Sequence, residues 1–121
     1  MSDVLETEIV DLLHCLGFIY LRHGQPYRAV VLLIVAAQAD PDRIDVLRTL
    51  AASLIAAKMG QQAIDVLDRL VHLAPGSGDL PMMRLMRARA LLLLGRDAEA
   101  YAAFRGPPAV APDPAITWRA A

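Results

Sequence analysis

The sequence predicts an all-α protein in which three helical hairpins stack as a short solenoid and an extended C-terminal tail follows them. Three observations lead to this prediction. Alanine is abundant and β-branched residues do not alternate with polar ones, so helix is favoured over strand. Small and apolar residues recur at an interval of 34 residues and then of 37, a period typical of stacked helix pairs. Prolines close the repeated segments, because the residue before a proline leaves the helical region.

The composition indicates one domain with more apolar surface than it can bury. The chain has 121 residues, of which 56% are apolar, and its mean hydropathy is +0.41. No run reaches the ~18 uninterrupted apolar residues of a membrane-spanning helix, so the surplus is expected to contact itself or a partner. The net charge of −1 gives no general attraction to nucleic acid or to an anionic membrane. Cys15 is the only cysteine, which suits a reducing compartment, and the acidic N-terminus does not resemble a secretion signal.

The repeat rests on residues that keep their character at a fixed spacing. The first two copies share the pairs Ala29 and Ala63, Leu33 and Leu67, and Pro41 and Pro75. The third copy continues the pattern at Ala88, Leu91, Ala100, Phe104 and Pro112. Its extra residues fall in the loop at 76–79, where an insertion costs little.

Each copy divides into a helix A and a helix B joined by a short bend. Helix A is expected at about 4–22, 43–58 and 80–94, and helix B at about 26–39, 61–73 and 97–105. In the first copy, Gly24 suits the left-handed conformation that ends a helix, and Pro26 suits the first turn of the next. Gly60 and Gly95 are expected to form the bend in the other two copies. We therefore interpret 22–26 as a turn and not as a catalytic loop.

One small residue in each helix is expected to let the two helices of a hairpin approach closely. These residues are Gly17, Ala51 and Ala88 in the A helices and Ala29, Ala63 and Ala100 in the B helices. Tyr27 and Tyr101, early in two B helices, are expected to be packing residues.

The repeats and the tail are assigned separate bounds. A repeat domain is predicted at 1–105, with repeats at about 10–43, 44–77 and 81–112 and a tail at 106–121. Because Pro107 and Pro108 shorten the last helix and no capping helix is predicted, the third hairpin is expected to have an open end. Trp118 either docks on that end or hangs free.

The repeated residues match the tetratricopeptide signature one by one. The first copy matches at Leu13, Leu16, Gly17, Tyr20, Gly24, Ala29, Leu33, Ala36 and Pro41. Together the three copies cover residues 10–112. The resemblance implies a right-handed solenoid whose A helices line the concave side.

A narrower resemblance concerns the stretch LLHCLGFIYLRHGQPYRAVVLL. It is similar to the opening repeat of the YscY (SctY) type of small chaperones in bacterial type III secretion. The matching features are an apolar pair at 12–13, then Gly17, Phe18 and Gly24, and an arginine-alanine pair at 28–29. The resemblance implies a protein of the bacterial cytoplasm that binds the small secreted protein YscX, and a pair that engages the export gate.

The third copy departs from the signature at two positions. Arg84 and Arg87 stand where an aromatic residue and a leucine would pack against helix B. Either helix A of this copy is therefore expected to be rotated, or the third hairpin as a whole is expected to be loosely formed.

A partner-binding groove is predicted along the sides of the A helices that face away from the B helices. Its residues are His14, Phe18, Leu21, Arg22, Arg48, Ala52, Ile55, Met82, Leu85, Met86, Arg89, Leu92 and Leu93. With one lysine and no asparagine in the chain, a clamp for a terminal carboxylate is disfavoured. An apolar trough with flexible methionines suits an amphipathic helix or an extended apolar segment. Core packing and self-association into a homodimer remain open as alternatives.

The sequence does not bring catalytic or metal-binding side chains together. His14 and His23 point in opposite directions on one helix, and Cys15 diverges from its neighbour by about 100°. No metal site, no cofactor and no enzymatic activity are therefore predicted. The arginines at 84–89 lack aromatic partners for stacking on nucleic acid.

The preferred hypothesis is a type III secretion chaperone that covers an apolar helix of a YscX-like partner. A needle-subunit co-chaperone of the same apparatus and a homo-oligomeric scaffold are the alternatives. Substitution of Leu85 or Ile55 by aspartate is predicted to abolish partner capture while helicity stays near normal.

Overall fold

A computed structural model of the chain describes residues 2–106. Six α-helices and one short 3₁₀ turn make up this part. They are α1 (Ser2–Arg22), α2 (Pro26–Ala39), α3 (Ile44–Ala56), α4 (Gly60–Leu73), the 3₁₀ turn (Ser77–Asp79), α5 (Pro81–Leu93) and α6 (Asp97–Arg105). The predictions for Pro107, Pro108, Pro112 and Trp118 lie outside the described residues.

The helices form three antiparallel hairpins that stack in chain order. The pairs α1–α2, α3–α4 and α5–α6 pack internally, while α3 packs on the first hairpin and α5 on the second. The A helices α3 and α5 thus each contact their own B helix and the B helix of the preceding hairpin. The fold confirms the prediction of an all-α stack of three tetratricopeptide-like hairpins.

The three A-to-B bends share one backbone motif, although one lacks the expected glycine. The residue after each bend donates its N–H to a carbonyl five positions earlier: Gln25 to Tyr20, Met59 to Leu54 and Arg96 to Leu91. This 6→1 bond is typical of a helix that ends through a left-handed residue. That residue is Gly24 in the first hairpin and Gly95 in the third, but Lys58, with φ 62°, in the second.

Gly60 therefore has a different role from the one predicted. It is the first residue of α4 and is buried, and a β-carbon at this position would lie 2.9 Å from the carbonyl oxygen of Ala90. Gly60 permits close approach of α4 and α5. The turn itself is formed by Lys58, because a lysine can occupy the left-handed region at a modest cost.

The core follows the small-residue crossings that the repeat predicts. Gly17 and the five alanines at the equivalent crossings are buried. A β-carbon on Gly17 would lie 2.7 Å from Cγ of Leu33, which shows how closely α1 and α2 approach. Leu33, Leu67 and Leu70 are the largest fully buried side chains.

The third hairpin keeps the register of the other two. Ala88 and Leu91 of α5 are buried, as are Ala51 and Leu54 at the equivalent positions of α3. Because these positions keep their burial, α5 is not rotated, and because α5 packs on α6 with Ala100 buried, the third hairpin is not loosely formed; the prediction of one or the other was wrong.

The two arginines of α5 are accommodated at the edges of the hairpin. Nη1 of Arg84 donates to the carbonyl oxygen of Arg105 at 3.2 Å, at the negative end of the α6 dipole. Arg87 forms an ion pair with Asp68 of α4 at 2.9 Å. The guanidinium groups reach polar partners while the backbone keeps its place in the stack.

Candidate partner-binding groove

The groove-forming helices α1, α3 and α5 lie side by side, because α3 contacts both of the others. Most predicted groove residues are exposed, namely Phe18, Arg22, Arg48, Met82, Leu85, Arg89, Leu92 and Leu93. His14, Leu21 and Ala52 are half-buried.

Two residues of the predicted groove belong to the core instead. Ile55 is 4% exposed and Met86 is 6% exposed. Ile55 lies beside Leu92 and Leu93, where α3 and α5 pack together, and Met86 is buried on α5. The prediction stepped around each helix separately, so it did not account for the surface that the neighbouring A helix covers. The proposed Ile55 substitution would therefore test folding and not binding.

The half of the groove between α1 and α3 is a mixed polar and apolar cleft. Its lining residues are His14, Cys15, Phe18, Asp45, Arg48 and Thr49. His14 Nε2 and Thr49 Oγ1 are 2.8 Å apart and hydrogen-bonded, which links the two helices across the floor. Phe18, which is 48% exposed, is the large apolar side chain here, and the Arg22 guanidinium lies 5.8 Å from its ring centroid.

An ion-pair network closes the end of this cleft. Arg43 pairs with Asp11 of α1 and, through its Nε at 2.9 Å, with Asp45 of α3. The side-chain hydrogen bond from Arg43 holds the pKa of the Asp45 carboxyl below its usual value, and the N–H of Val46 adds to the effect while burial opposes it. Both carboxylates in turn raise the pKa of Arg43. The network joins α1 to the start of α3 at this end of the cleft.

The half of the groove between α3 and α5 is lined mostly by aliphatic side chains. A cleft here is lined by Ile55, Ala56, Lys58, Arg89, Leu92 and Leu93. Met82, at the other end of α5, is 63% exposed. Arg48 lines the cleft between α1 and α3, and Arg89 lines this one, so each half of the groove carries an exposed arginine beside its apolar side chains.

A further cleft lies between α5 and α6, at the end of the stack. It has a volume of about 410 Å³ and is lined by Leu85, Ala88, Arg89, Leu92, Asp97, Ala100, Tyr101 and Phe104. The sequence prediction that Tyr101 and Tyr27 are packing residues was wrong, because both side chains are exposed. The expected open end of the third hairpin was the signal that could have identified Tyr101 and Phe104 as surface residues.

The described residues contain no cluster with the chemistry of a metal site. Within residues 2–106, no three His, Cys, Asp or Glu side chains lie close enough together to hold a metal ion. His14 bonds Thr49, and Cys15 is exposed. No helix of this region is both long and apolar enough to cross a membrane.

Comparisons with known proteins agree with this architecture. The tetratricopeptide repeat family matches residues 20–80, half of the chain. The solved structure MamA AMB-1, in crystal form P212121, is similar over 79% of this chain, with 28% sequence identity and a TM-score of 0.70. The present chain covers 55% of the length of that one. No curated protein matches the sequence.

The repeat spacing, the shared bend motif, the stacked hairpins and the family match all lead to the same assignment. A solenoid of this kind is a scaffold for protein–protein interaction, since its side-by-side helices present an extended surface. The chain belongs to the tetratricopeptide repeat family.

Proposed function

We propose that this protein is a chaperone-like binding module that holds an apolar helix of one small protein in the groove formed by α1, α3 and α5. The observation that carries the proposal is the exposure of large apolar side chains along this groove, above all Phe18 and Met82. Such side chains lose contact with water when a partner covers them, and because each is already about half buried, covering it contributes roughly 1–2 kcal/mol.

The chemistry of the groove favours an amphipathic helix as the occupant. Methionine and leucine side chains along α5 adapt to an apolar helix face. Arg22, Arg48 and Arg89 are exposed along the groove, where they would meet acidic residues that flank this face. Complementary charges of this kind orient the partner and speed its association.

The resemblance to YscY-type chaperones supports a narrower proposal. The partner would be a small type III secretion protein similar to YscX, and the chain would act in the bacterial cytoplasm, without catalysis. The chaperone would keep the apolar helix of the partner covered until the pair engages the export gate. The stretch with Gly17, Phe18 and Gly24 carries this resemblance, and Phe18 itself lies on the groove.

Binding of a purified YscX-like protein to the full chain and to groove variants tests the proposal. Phe18→Asp combined with Met82→Asp is expected to weaken binding in titration calorimetry by at least tenfold, because two charges enter the apolar contact. Val35→Asp, an exposed position on α2, is the matched control and is expected to bind as the unchanged chain does.

Circular dichroism checks that all variants keep their helicity. Undiminished binding by a folded double variant would contradict the proposal that the groove is the binding site. Absence of any binding by the unchanged chain would contradict the type III partner and leave the groove to be tested with other apolar helices.

A further inference from the structure

Each end of the hairpin stack exposes one side of the interface that joins neighbouring hairpins inside the stack. Inside the stack, α3 covers the first hairpin and α5 covers the second. Within residues 2–106, no helix covers the third hairpin in the same way, and none precedes α1. Because the repeats share one register, each residue at an end has a counterpart inside the stack, and its exposure can be compared directly.

The face formed by α5 and α6 repeats the face of the second hairpin that receives α5. In the second hairpin, Ile55, Ile64 and Leu67 are buried. The equivalent residues of the third hairpin, 37 positions later, are Leu92, Tyr101 and Phe104, and more than half of each side chain is exposed. This C-terminal face therefore has the residue types of an internal interface without a helix to cover it.

The outer side of α1 repeats the side by which α3 packs onto the first hairpin. On α3, Val46, Leu50 and Ser53 are buried. Their equivalents on α1, 34 positions earlier, are Leu12, Leu16 and Ile19, all exposed and all large and apolar. This N-terminal face has the shape and the apolar residues of a helix that packs onto a hairpin.

The two faces are also complementary in charge when they are joined in the register of the repeats. Inside the stack, a β-carbon on Gly60 would lie 3.1 Å from Cβ of Leu93 and 3.2 Å from Cγ of Leu94. The residue equivalent to Gly60 on the C-terminal face is Asp97, and those equivalent to Leu93 and Leu94 on the N-terminal face are Arg22 and His23. An acidic side chain would thus meet one permanent cation and one imidazole.

We propose that copies of this chain associate head to tail, with the N-terminal face of one copy packed on the C-terminal face of the next. The first hairpin of one chain then packs on the third hairpin of the next chain in the same way as neighbouring hairpins pack within one chain. A contact between two different faces is heterologous and leaves one face of each type free, so it propagates into open chains. Leu12, Ile19, Tyr101 and Phe104 lie outside the groove assigned to the partner, whereas Arg22 and Leu92 border both surfaces.

Light scattering coupled to size exclusion, over a range of concentrations, tests this interface on the full chain. The mass of the unchanged protein is expected to rise with concentration beyond that of a dimer. Tyr101→Asp with Phe104→Asp removes the C-terminal face, and Leu12→Asp with Ile19→Asp removes the N-terminal face. Each double variant alone is expected to be a monomer.

An equimolar mixture of the two variants is the decisive measurement. Each keeps one intact face, and the two intact faces are of opposite type, so the mixture is expected to form a one-to-one dimer and nothing larger. A symmetric contact between two α1 helices would lead to a different result. Only the variant with substitutions in the N-terminal face would then be monomeric, and mixing it with the other variant would not restore its association. That result overturns the proposal.

Other occupants of the faces lead to other outcomes. If residues 107–121 of the same chain or a different protein cover the C-terminal face, the unchanged protein stays monomeric at every concentration, and the proposal fails. Serine substitutions at the same four positions replace any aspartate variant that does not fold. In a charge test, Arg22→Glu is expected to weaken association about two- to fivefold, and mixing with Asp97→Lys is expected to restore it.

Discussion

Single residues decide how closely the helices approach and how each bend is made. Lys58 shows this most directly, since it holds the left-handed conformation that glycine provides in the other two bends. Arg43 is a second example, because it joins the middle of α1 to the start of α3 through two carboxylates. Neither role is visible in the repeat signature.

Lys58→Gly is expected to stabilise the protein. A left-handed backbone costs an L-residue with a β-carbon roughly 1–2 kcal/mol, and the greater entropy of glycine in the unfolded chain offsets part of that gain. The net increase in the free energy of unfolding should be about 0.5–1 kcal/mol, measured by urea denaturation. Lys58→Ala, which keeps the β-carbon, is the control and should give no such gain; an equal gain in both variants would contradict the explanation.

The ion pair between Arg43 and Asp45 predicts a small pH dependence of stability. Arg43 lowers the pKa of Asp45 in the folded protein, so the carboxylate stabilises the fold at pH values above its unfolded pKa. This contribution is lost as the pH falls through the lower, folded pKa. Asp45 is half exposed, which limits the contribution to less than about 1 kcal/mol.

Asp45→Asn is therefore expected to lower the melting temperature at neutral pH, and this deficit is expected to be smaller at about pH 3, as the carboxyl becomes protonated. Thermal denaturation followed by circular dichroism measures both values. Glu8→Gln, at an exposed position of α1, should behave as the unchanged protein at either pH. A deficit of equal size at the two pH values would rule out the ion pair as its cause.

At the scale of elements, the A helices α3 and α5 each have two packing surfaces, one for their own B helix and one for the preceding hairpin. The helix α5 shows both, with Ala88 buried at one crossing and Ala90 beside Gly60 at the other. Met86 of the same helix, which was predicted for the groove, is buried as well. Helix positions that look free on an isolated hairpin are covered when hairpins stack.

Gly60→Ala is expected to loosen the junction between α4 and α5. The added methyl group would lie 2.9 Å from a backbone oxygen, which cannot move without moving α5. Overpacking of this kind costs about 1–3 kcal/mol. Urea denaturation measures the loss, and Gln61→Ala, at the neighbouring exposed position, should change stability little; an unchanged or more stable Gly60 variant would show that α5 relaxes freely.

At the scale of the whole molecule, stability is the sum of three hairpins and two junctions between them. The central hairpin takes part in both junctions, so a defect in its core is expected to affect the entire stack. Leu67, fully buried in α4, lies at its centre.

Leu67→Ala is expected to lower the free energy of unfolding by about 2–5 kcal/mol and to reduce the cooperativity of melting. Differential scanning calorimetry measures both quantities. Val31→Ala, which removes apolar carbons from an exposed position of α2, is the control and should have little effect. Equal effects of the two substitutions would contradict the burial of Leu67.

The sequence by itself determined the number of hairpins, the approximate bounds of the six described helices and the small residues at their crossings, because these depend on contacts that recur at a fixed period along the chain. It also located most exposed residues of the groove. The tertiary structure decided that Ile55 and Met86 are buried and that Tyr101 is exposed. It also decided that Lys58, and not Gly60 as the sequence predicted, forms the bend of the second hairpin. The physical reason is that periodicity defines the faces of one helix, whereas burial also depends on which faces a neighbouring helix covers.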